Sequence, residues 1–336
     1  MKKIIQYSKS YKNIADIKKD FYNQNLYNLK KSIKINTEYV KQPLRKICKN
    51  CNSKKLVFFL KSFKVSYNLC SNCGHLNGKY QDTSKFARKL YNSQNGKNYS
   101  KNYLNDYNSR VKNIYLPKVV FLKKVIKENI KLLDLGSGAG HFLKALEIKK
   151  ISATGYETSK DLCNLANKKL KVNKINNIKF DNVYNLIEKA KDENVLSLIG
   201  VLEHLTNPSL ILNSFAKSKI KYLYISVPLF SLTSFIENSF KNVYPRHLSG
   251  AHTHLYTYKS LKYLAKNNNL NIIGEFWFGT DIPDLMRSIL NSATIINKKQ
   301  YLTQFKNLFT NHIDELQSVL DKKKICSEVH MIFKKK

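Results

Sequence analysis

Apolar positions change their period along this chain. From about residue 130 onward, short apolar runs alternate with segments in which apolar residues recur every three to four positions. The runs Ile130–Leu135, Ile151–Glu157, Asn177–Asp181, Val195–Val201, Lys221–Val227, Asn271–Phe278 and Glu328–Phe333 read as strands. His141–Lys149, Asp161–Leu170, Pro208–Lys217 and Lys259–Asn267 read as the helices between them. A further helical stretch runs from about Pro283 to Leu320, ahead of the last strand. Strands that alternate with helices predict a mostly parallel sheet. The expected fold is therefore α/β: a Rossmann-like seven-stranded sheet with helices on both faces.

Upstream, the pattern is less regular. Residues 1–45 are polar, basic and tyrosine-rich, with weak helical spacing, and are expected to form an arm on the body. Residues 46–80 hold two short β-type runs, Lys55–Leu60 and Phe63–Tyr67. Residues 81–128 carry Phe86, Leu90, Tyr91, Tyr103 and Tyr107, then a helical group from Tyr115 to Val125, and read as a connector. The sheet domain then occupies 129–336.

The 59 lysines and arginines outnumber the 23 acids, giving a net charge of +36. Such a charge suits nucleic acid, an anionic membrane surface or a phosphorylated small molecule. The lysines are spread along the chain without a basic block, as a general compositional bias also produces. No apolar run approaches the roughly 18–20 residues of a membrane span. Met1–Gln6 has charge but no apolar core of a signal peptide, so the expected location is the cytoplasm.

Four of the six cysteines form the pairs Cys48-x-x-Cys51 and Cys70-x-x-Cys73. Each pair places two thiolates on one tight turn, and 18 residues separate the pairs. Folding the two β-type runs back on each other would close a tetrahedral four-cysteine site for structural Zn²⁺. All four positions are then protein ligands, so this metal would do no chemistry. Gly74 fits the second turn, and His75 is expected at the surface.

Candidate chemistry begins at Leu132-Leu133-Asp134-Leu135-Gly136-Ser137-Gly138-Ala139-Gly140-His141. A buried strand turns through glycines into a helix, and the missing Cβ atoms let a ligand approach the main chain. The dinucleotide fingerprint is G-x-G-x-x-G. Here the third glycine comes one residue early, and His141 stands where that fingerprint has glycine. The next strand ends in Glu157, a carboxylate placed to accept hydrogen bonds from two vicinal ribose hydroxyls.

These residues resemble motif I and the following acid of the class I S-adenosylmethionine (SAM) methyltransferases. The resemblance covers roughly residues 115–336. It implies that Gly136 and Gly138 let SAM approach the backbone, that Gly140 borders it or serves close helix–strand packing, that Glu157 holds its ribose and that Asp134 lies near its methionyl end. It further implies an acid after the third strand, for which Asp181 is the candidate. Gly200-Val201-Leu202-Glu203-His204-Leu205-Thr206-Asn207-Pro208 resembles the segment after the fourth strand in small-molecule methyltransferases, so Glu203 and His204 should border the cofactor pocket. The ribbon and the sheet together resemble the zinc-ribbon methyltransferases of sugar and surface-polysaccharide biosynthesis. A sugar, sugar nucleotide or glycan acceptor follows by that resemblance, with methylation of oxygen favoured over carbon.

After the fifth strand comes Tyr244-Pro245-Arg246-His247-Leu248-Ser249-Gly250-Ala251-His252-Thr253-His254-Leu255-Tyr256-Thr257. Histidine is the side chain best suited to take a proton near neutral pH. His252 or His254 is expected to act as general base. His204 either joins them or orients its own turn. Arg246 is expected to clamp an anionic substrate group, with His247 and Tyr256 beside it. Asp281 and Asp284 are further candidates for sugar hydroxyls. Two rival readings are an RNA or DNA methyltransferase that grips nucleic acid through the ribbon, and a non-catalytic zinc-ribbon binding protein. No Asn-Pro-Pro-Tyr or Asp-Pro-Pro-Tyr block of a base-amino methylase follows the fourth strand.

Overall fold

A computed structural model describes residues 2–12, 15, 17, 24–92, 106–249, 252–295 and 299–336. Tyr103, Gly250 and Ala251 lie outside these residues.

Eight of the described strands form one sheet. They are β1 (Ile4–Tyr7), β5 (Lys131–Leu135), β6 (Ser152–Glu157), β7 (Lys174–Asn177), β8 (Val195–Ile199), β9 (Tyr222–Pro228), β11 (Leu270–Phe278) and β12 (Glu328–Lys335). Their order is β1-β11-β12-β9-β8-β5-β6-β7. β12 runs antiparallel to both neighbours, and every other pairing is parallel. Seven strands thus point their carboxyl ends to one edge, where ligands bind in open α/β sheets.

Successive residues of β5 serve opposite faces. Leu133 and Leu135 join Leu196, Leu198, Leu223 and Ile225 beneath the helices Pro208–Lys217 and Tyr258–Asn267. Leu132 joins Ala153, Val195 and Tyr224 beneath the helices Leu116–Val125 and His141–Ile148. Period-two alternation on a doubly covered strand explains why these runs are apolar throughout.

Two details depart from the sequence reading. The strand expected at Asn177–Asp181 begins three residues and ends four residues earlier, at Lys174–Asn177, and Phe180–Asn182 is a 3₁₀ turn. The arm contributes β1, which pairs with β11 through Ile4 opposite Gly274. A buried carboxylate secures it: Glu275 accepts from Lys3 Nζ (2.8 Å), Lys324 Nζ (2.5 Å), Tyr258 Oη (2.9 Å) and Trp277 Nε1 (3.0 Å).

The cysteine ribbon consists of β2 (Leu56–Ser62), β3 (Val65–Cys70) and β4 (Leu76–Gly78). β2 and β3 turn at Phe63–Lys64, both with positive φ, as a two-residue hairpin requires. A fourth strand, β10 (His254–Leu255), pairs with β4 and belongs to the loop after β9. The ribbon and the histidine loop therefore share one sheet. Gly78 makes this possible, since a Cβ there would come 2.8 Å from the Thr253 carbonyl oxygen that its own amide meets at 2.7 Å. The small core beneath is also mixed, with Tyr39, Val65, Tyr67, Leu76 and Phe86 packed on Leu248 and Leu255.

Candidate active site

At the carboxyl end of β5 the chain turns through Gly136, Gly138 and Gly140, each at positive φ. The amides of Gly136 and Ser137 reach the Tyr156 carbonyl at 2.8 and 3.2 Å. Gly138 donates to Glu157 Oε2 at 2.9 Å, and Ser159 donates to Oε1 at 3.0 Å. Glu157 is thereby fixed at the tip of β6 against the glycine turn. The glycines differ in what they face. A Cβ on Gly136 would strike Val201 at 2.6 Å, and one on Gly140 would strike Ala166 at 2.9 Å. A Cβ on Gly138 would meet nothing within 4 Å, because this residue faces a cavity.

That cavity has a volume of about 330 Å³. Its lining includes Asp134, Gly136–Ala139 of the glycine turn and Glu157, the apolar Ile178, Phe180 and Val183, and Gly200, Val201 and His204 after β8; Gly140 is not part of it. A small molecule with a planar ring, a diol and a charged tail fits such a lining. Asp134 is buried, accepts from Ser197 Oγ at 2.5 Å, and has its pKa raised to about 7 by burial. A cation beside it would restore the carboxylate. Asp181 does not take part. It lies on the 3₁₀ turn with its side chain 80% exposed, 3.9 Å from Arg88. The strand ends earlier than expected, so Phe180 and not Asp181 lines the cavity.

At the tip of β8, His204 lines the cavity, whereas Glu203 is buried behind it. Burial raises the Glu203 pKa to about 8, and its Oε2 has no partner. Nearby Lys118 and Glu328 act on its charge. Nothing in the sequence marks out Lys118, a buried lysine whose Nζ lies 3.9 Å from Glu328, from Lys123 and Lys124 on the same helix.

The histidines of the loop separate into two groups. His252 stacks on His204, with centroids 5.1 Å apart and planes at 29°, and its Nδ1 has no partner. Burial lowers its pKa to about 4, so it is neutral at pH 7. His247 packs edge-on to His252 and is held neutral by burial and by the neighbouring Arg246 charge, with a pKa of about 3. His254 belongs to the second group. It is fully buried, and its Nδ1 lies 2.8 Å from Nε2 of His75 in the ribbon. His75 is thus not the surface residue expected from sequence. Tyr256 packs edge-on to both and is absent from the cavity wall, so it is not placed to touch substrate there.

Arg246 is not free to clamp a substrate anion. Its Nη1 lies 2.7 and 2.9 Å from the Asp284 carboxylate and 2.9 Å from Thr280 Oγ1. Asp284 is consumed by the same pair. Asp281 is consumed by Ser231, Thr233, Gln317 and the Ser327 amide. Glu237, on the helix Leu232–Ser239, anchors the loop by accepting from the amides of Arg246, His247 and Leu248.

The four cysteine sulfurs lie within 4.8 Å of one another, with Cys48–Cys73 at 3.7 Å and Cys51–Cys70 at 3.5 Å. Four thiolates around Zn²⁺ at about 2.3 Å stand roughly 3.8 Å apart, so the donor set fits this metal. Asn77 Nδ2 donates to Cys48 Sγ at 3.5 Å and Asn72 Nδ2 to Cys51 Sγ at 3.6 Å, as thiolates favour. No other group of three metal-binding side chains occurs among the described residues, and the loop histidines hold no such site.

Residues 107–275, half of the chain, match the family model for the methyltransferase domain. The chain belongs to this methyltransferase family. No curated protein matches it. Among solved structures, a SAM-dependent methyltransferase from Archaeoglobus fulgidus is similar at 15% identity, covering 66% of this chain and 92% of that one, with a TM-score of 0.41. Magnesium protoporphyrin IX methyltransferase from Synechocystis is similar at 9% identity, covering 76% and 100%, with a TM-score of 0.48. The plantazolicin methyltransferase BamL is similar at 14% identity, covering 74% and 94%, with a TM-score of 0.45. In this methyltransferase, then, the cavity at the strand tips is the candidate cofactor site, and the histidine loop reaches it through His252, stacked on the lining residue His204.

Proposed function

We propose that this methyltransferase binds SAM in the cavity and methylates an oxygen of a sugar, sugar nucleotide or glycan intermediate. Glu157 would accept from the ribose hydroxyls, Gly136 and Gly138 would run beside the methionyl chain, and Asp134 would face its ammonium. Phe180 and Ile178 suit the apolar faces of an adenine. When bound, SAM supplies a methyl group on an electrophilic sulfonium. A hydroxyl acceptor must lose its proton as its oxygen takes the methyl.

The observation that carries this reading is His204, which lines the cavity with His252 stacked behind it. His204 takes the hydroxyl proton. His252 stays neutral and presents its ring face to the imidazolium that forms, a favourable cation–π arrangement. His254 is reassigned from base to tether, because its Nδ1 is engaged by the ribbon. The sugar class is supported by the sequence resemblance and by the absence of the base-amino methylase block.

Methyl transfer from radiolabelled SAM into a cell extract tests the proposal. Label is expected in the anionic metabolite or glycan fraction. His204→Asn should lower transfer about 100-fold or more, and His252→Asn about tenfold. Label in nucleic acid would replace the sugar reading with the nucleic-acid one. Undiminished transfer by His204→Asn would remove the base.

A further inference from the structure

The outer edge of the ribbon is apolar, although it is solvent-exposed. On β2, Val57 (59%), Phe58 (63%) and Phe59 (39%) are successive exposed residues. The surface continues through ring contacts from Phe59 to Phe230 and from Phe230 to Phe235, each at 5.4 Å. Phe235 and Leu232 are themselves exposed, on the helix Leu232–Ser239. Val57 and Phe58, paired with Leu69 and Asn68, lie on opposite faces of this edge strand, so exposed apolar side chains wrap the edge and run on through Phe59 to the helix; an exposed apolar surface of this kind marks an interaction site.

The charge around it has one sign. Lys54, Lys55, Lys61 and Lys64 are exposed about the strand, and Lys241 Nζ sits 5.7 Å over the Phe63 ring beside it. No acid occurs between Glu38 and Asp82. Glu237 is the only acid from 229 to 245, and it is buried against backbone amides. The two segments that form the surface are therefore aromatic, aliphatic and cationic, and neither contributes an exposed carboxylate.

We propose that this surface docks on an anionic lipid bilayer. Three features favour lipid over other anionic partners. β2 is an open edge, but Phe59 forms a bulge between Phe58 and Leu60, and lysines flank it; both devices oppose addition of another strand. The cations are lysines, whose long stems lie along apolar surface while their heads reach polar headgroups; arginine forks that grip individual phosphates are missing. Val57 and Leu232 add apolar area that cannot stack on a base. Insertion of the phenylalanines at the headgroup boundary and attraction of the lysines act together, as in other interfacial anchors. The helix concerned follows directly from β9, so docking turns the acceptor end of the molecule to the bilayer.

The test is co-sedimentation of the zinc-loaded chain with phosphatidylcholine vesicles, with and without about 30 mol % phosphatidylglycerol. Binding is expected only with the anionic lipid. Phe58→Ser with Phe235→Ser should weaken it about 100-fold at constant charge, roughly tenfold for each ring. Lys54→Gln with Lys61→Gln should weaken it about tenfold and flatten its salt dependence. Phe58→Trp gives a direct signal, because Trp277 is buried and constant: its emission should shift to the blue on anionic vesicles. Three results would overturn the proposal. One is failure to sediment with anionic vesicles. Another is undiminished sedimentation of the double phenylalanine variant with no Trp shift, which means adsorption by net charge alone. The third is single-stranded RNA binding that the phenylalanine variant abolishes while vesicle binding persists.

Discussion

On the cofactor side of the cavity, the functional groups come from neighbouring strand tips and the turns that follow them. Asp134, Gly138 and Glu157 lie within 24 residues of sequence, and one hydrogen bond at 2.9 Å joins the turn to the acid. The acceptor side is assembled from distant segments. His75 meets His254, Arg246 meets Asp284, and Asn25, at the start of the helix Asn25–Tyr39, holds Asn242 and Tyr244. The first side is a property of the sheet. The second depends on the ribbon, and this difference can be measured.

Removing the metal site should have the largest effect. A structural zinc contributes on the order of 10 kcal/mol to a small metal-stabilised fold. Cys48→Ser with Cys73→Ser is expected to abolish methyl transfer, while SAM affinity by calorimetry changes less than about threefold. An equal loss of both would show that the two sides are one unit. Next in size, Glu157→Gln should weaken SAM binding about 100-fold, since it removes charge-assisted bonds worth about 3 kcal/mol. Metal content by mass spectrometry should stay unchanged, and a fall would again break the division.

Within the cofactor side, the glycines sharpen the picture. Gly136→Ala forces a Cβ onto Val201 at positive φ and should cost about 2–3 kcal/mol, read as a lowered melting temperature. Gly138→Ala meets no atom and should cost only about 1 kcal/mol of stability, but it should impair SAM binding because its methyl projects into the cavity.

The smallest expected effect is one of pH. Burial raises the Asp134 pKa from 3.8 to about 7, so the folded apo chain holds a proton that the unfolded chain loses earlier. This group's contribution to stability therefore falls as pH rises between those values. A cationic ligand needs the carboxylate, so SAM affinity should rise close to tenfold from about pH 6 to about pH 7.5, with proton release on binding. Asp134→Asn should remove this dependence. Calorimetry in buffers of different ionisation enthalpy reads it directly.

The same comparison explains what was legible in the sequence. Glycine spacing, apolar runs and the terminal acid are local signals, and the sheet and cofactor wall follow from them. β1 is four residues long and is recognised only by its pairing with β11, 270 residues away at Ile4 and Gly274. A lone His75 carries no mark of burial, because its partner arrives with β10. Arg246 reads as a free cation until Asp284 is brought beside it. Asp181 failed for a different reason: a strand end four residues earlier than expected moves a side chain off the strand tip altogether.

The antiparallel strand has a kinetic consequence. β12 is last in sequence among the strands, yet it lies between β9 and β11. While the chain is being made, β9 presents an unpaired edge until roughly 100 further residues have been added, about 5–20 s at ordinary synthesis rates. That edge is Tyr222-Leu223-Tyr224-Ile225-Ser226-Val227-Pro228, an apolar strand prone to pairing with a neighbouring chain. The step that closes the sheet is also the step that ends this exposure. Nascent chains stalled before Glu328 should therefore aggregate or recruit chaperones far more readily than chains that extend past Lys335.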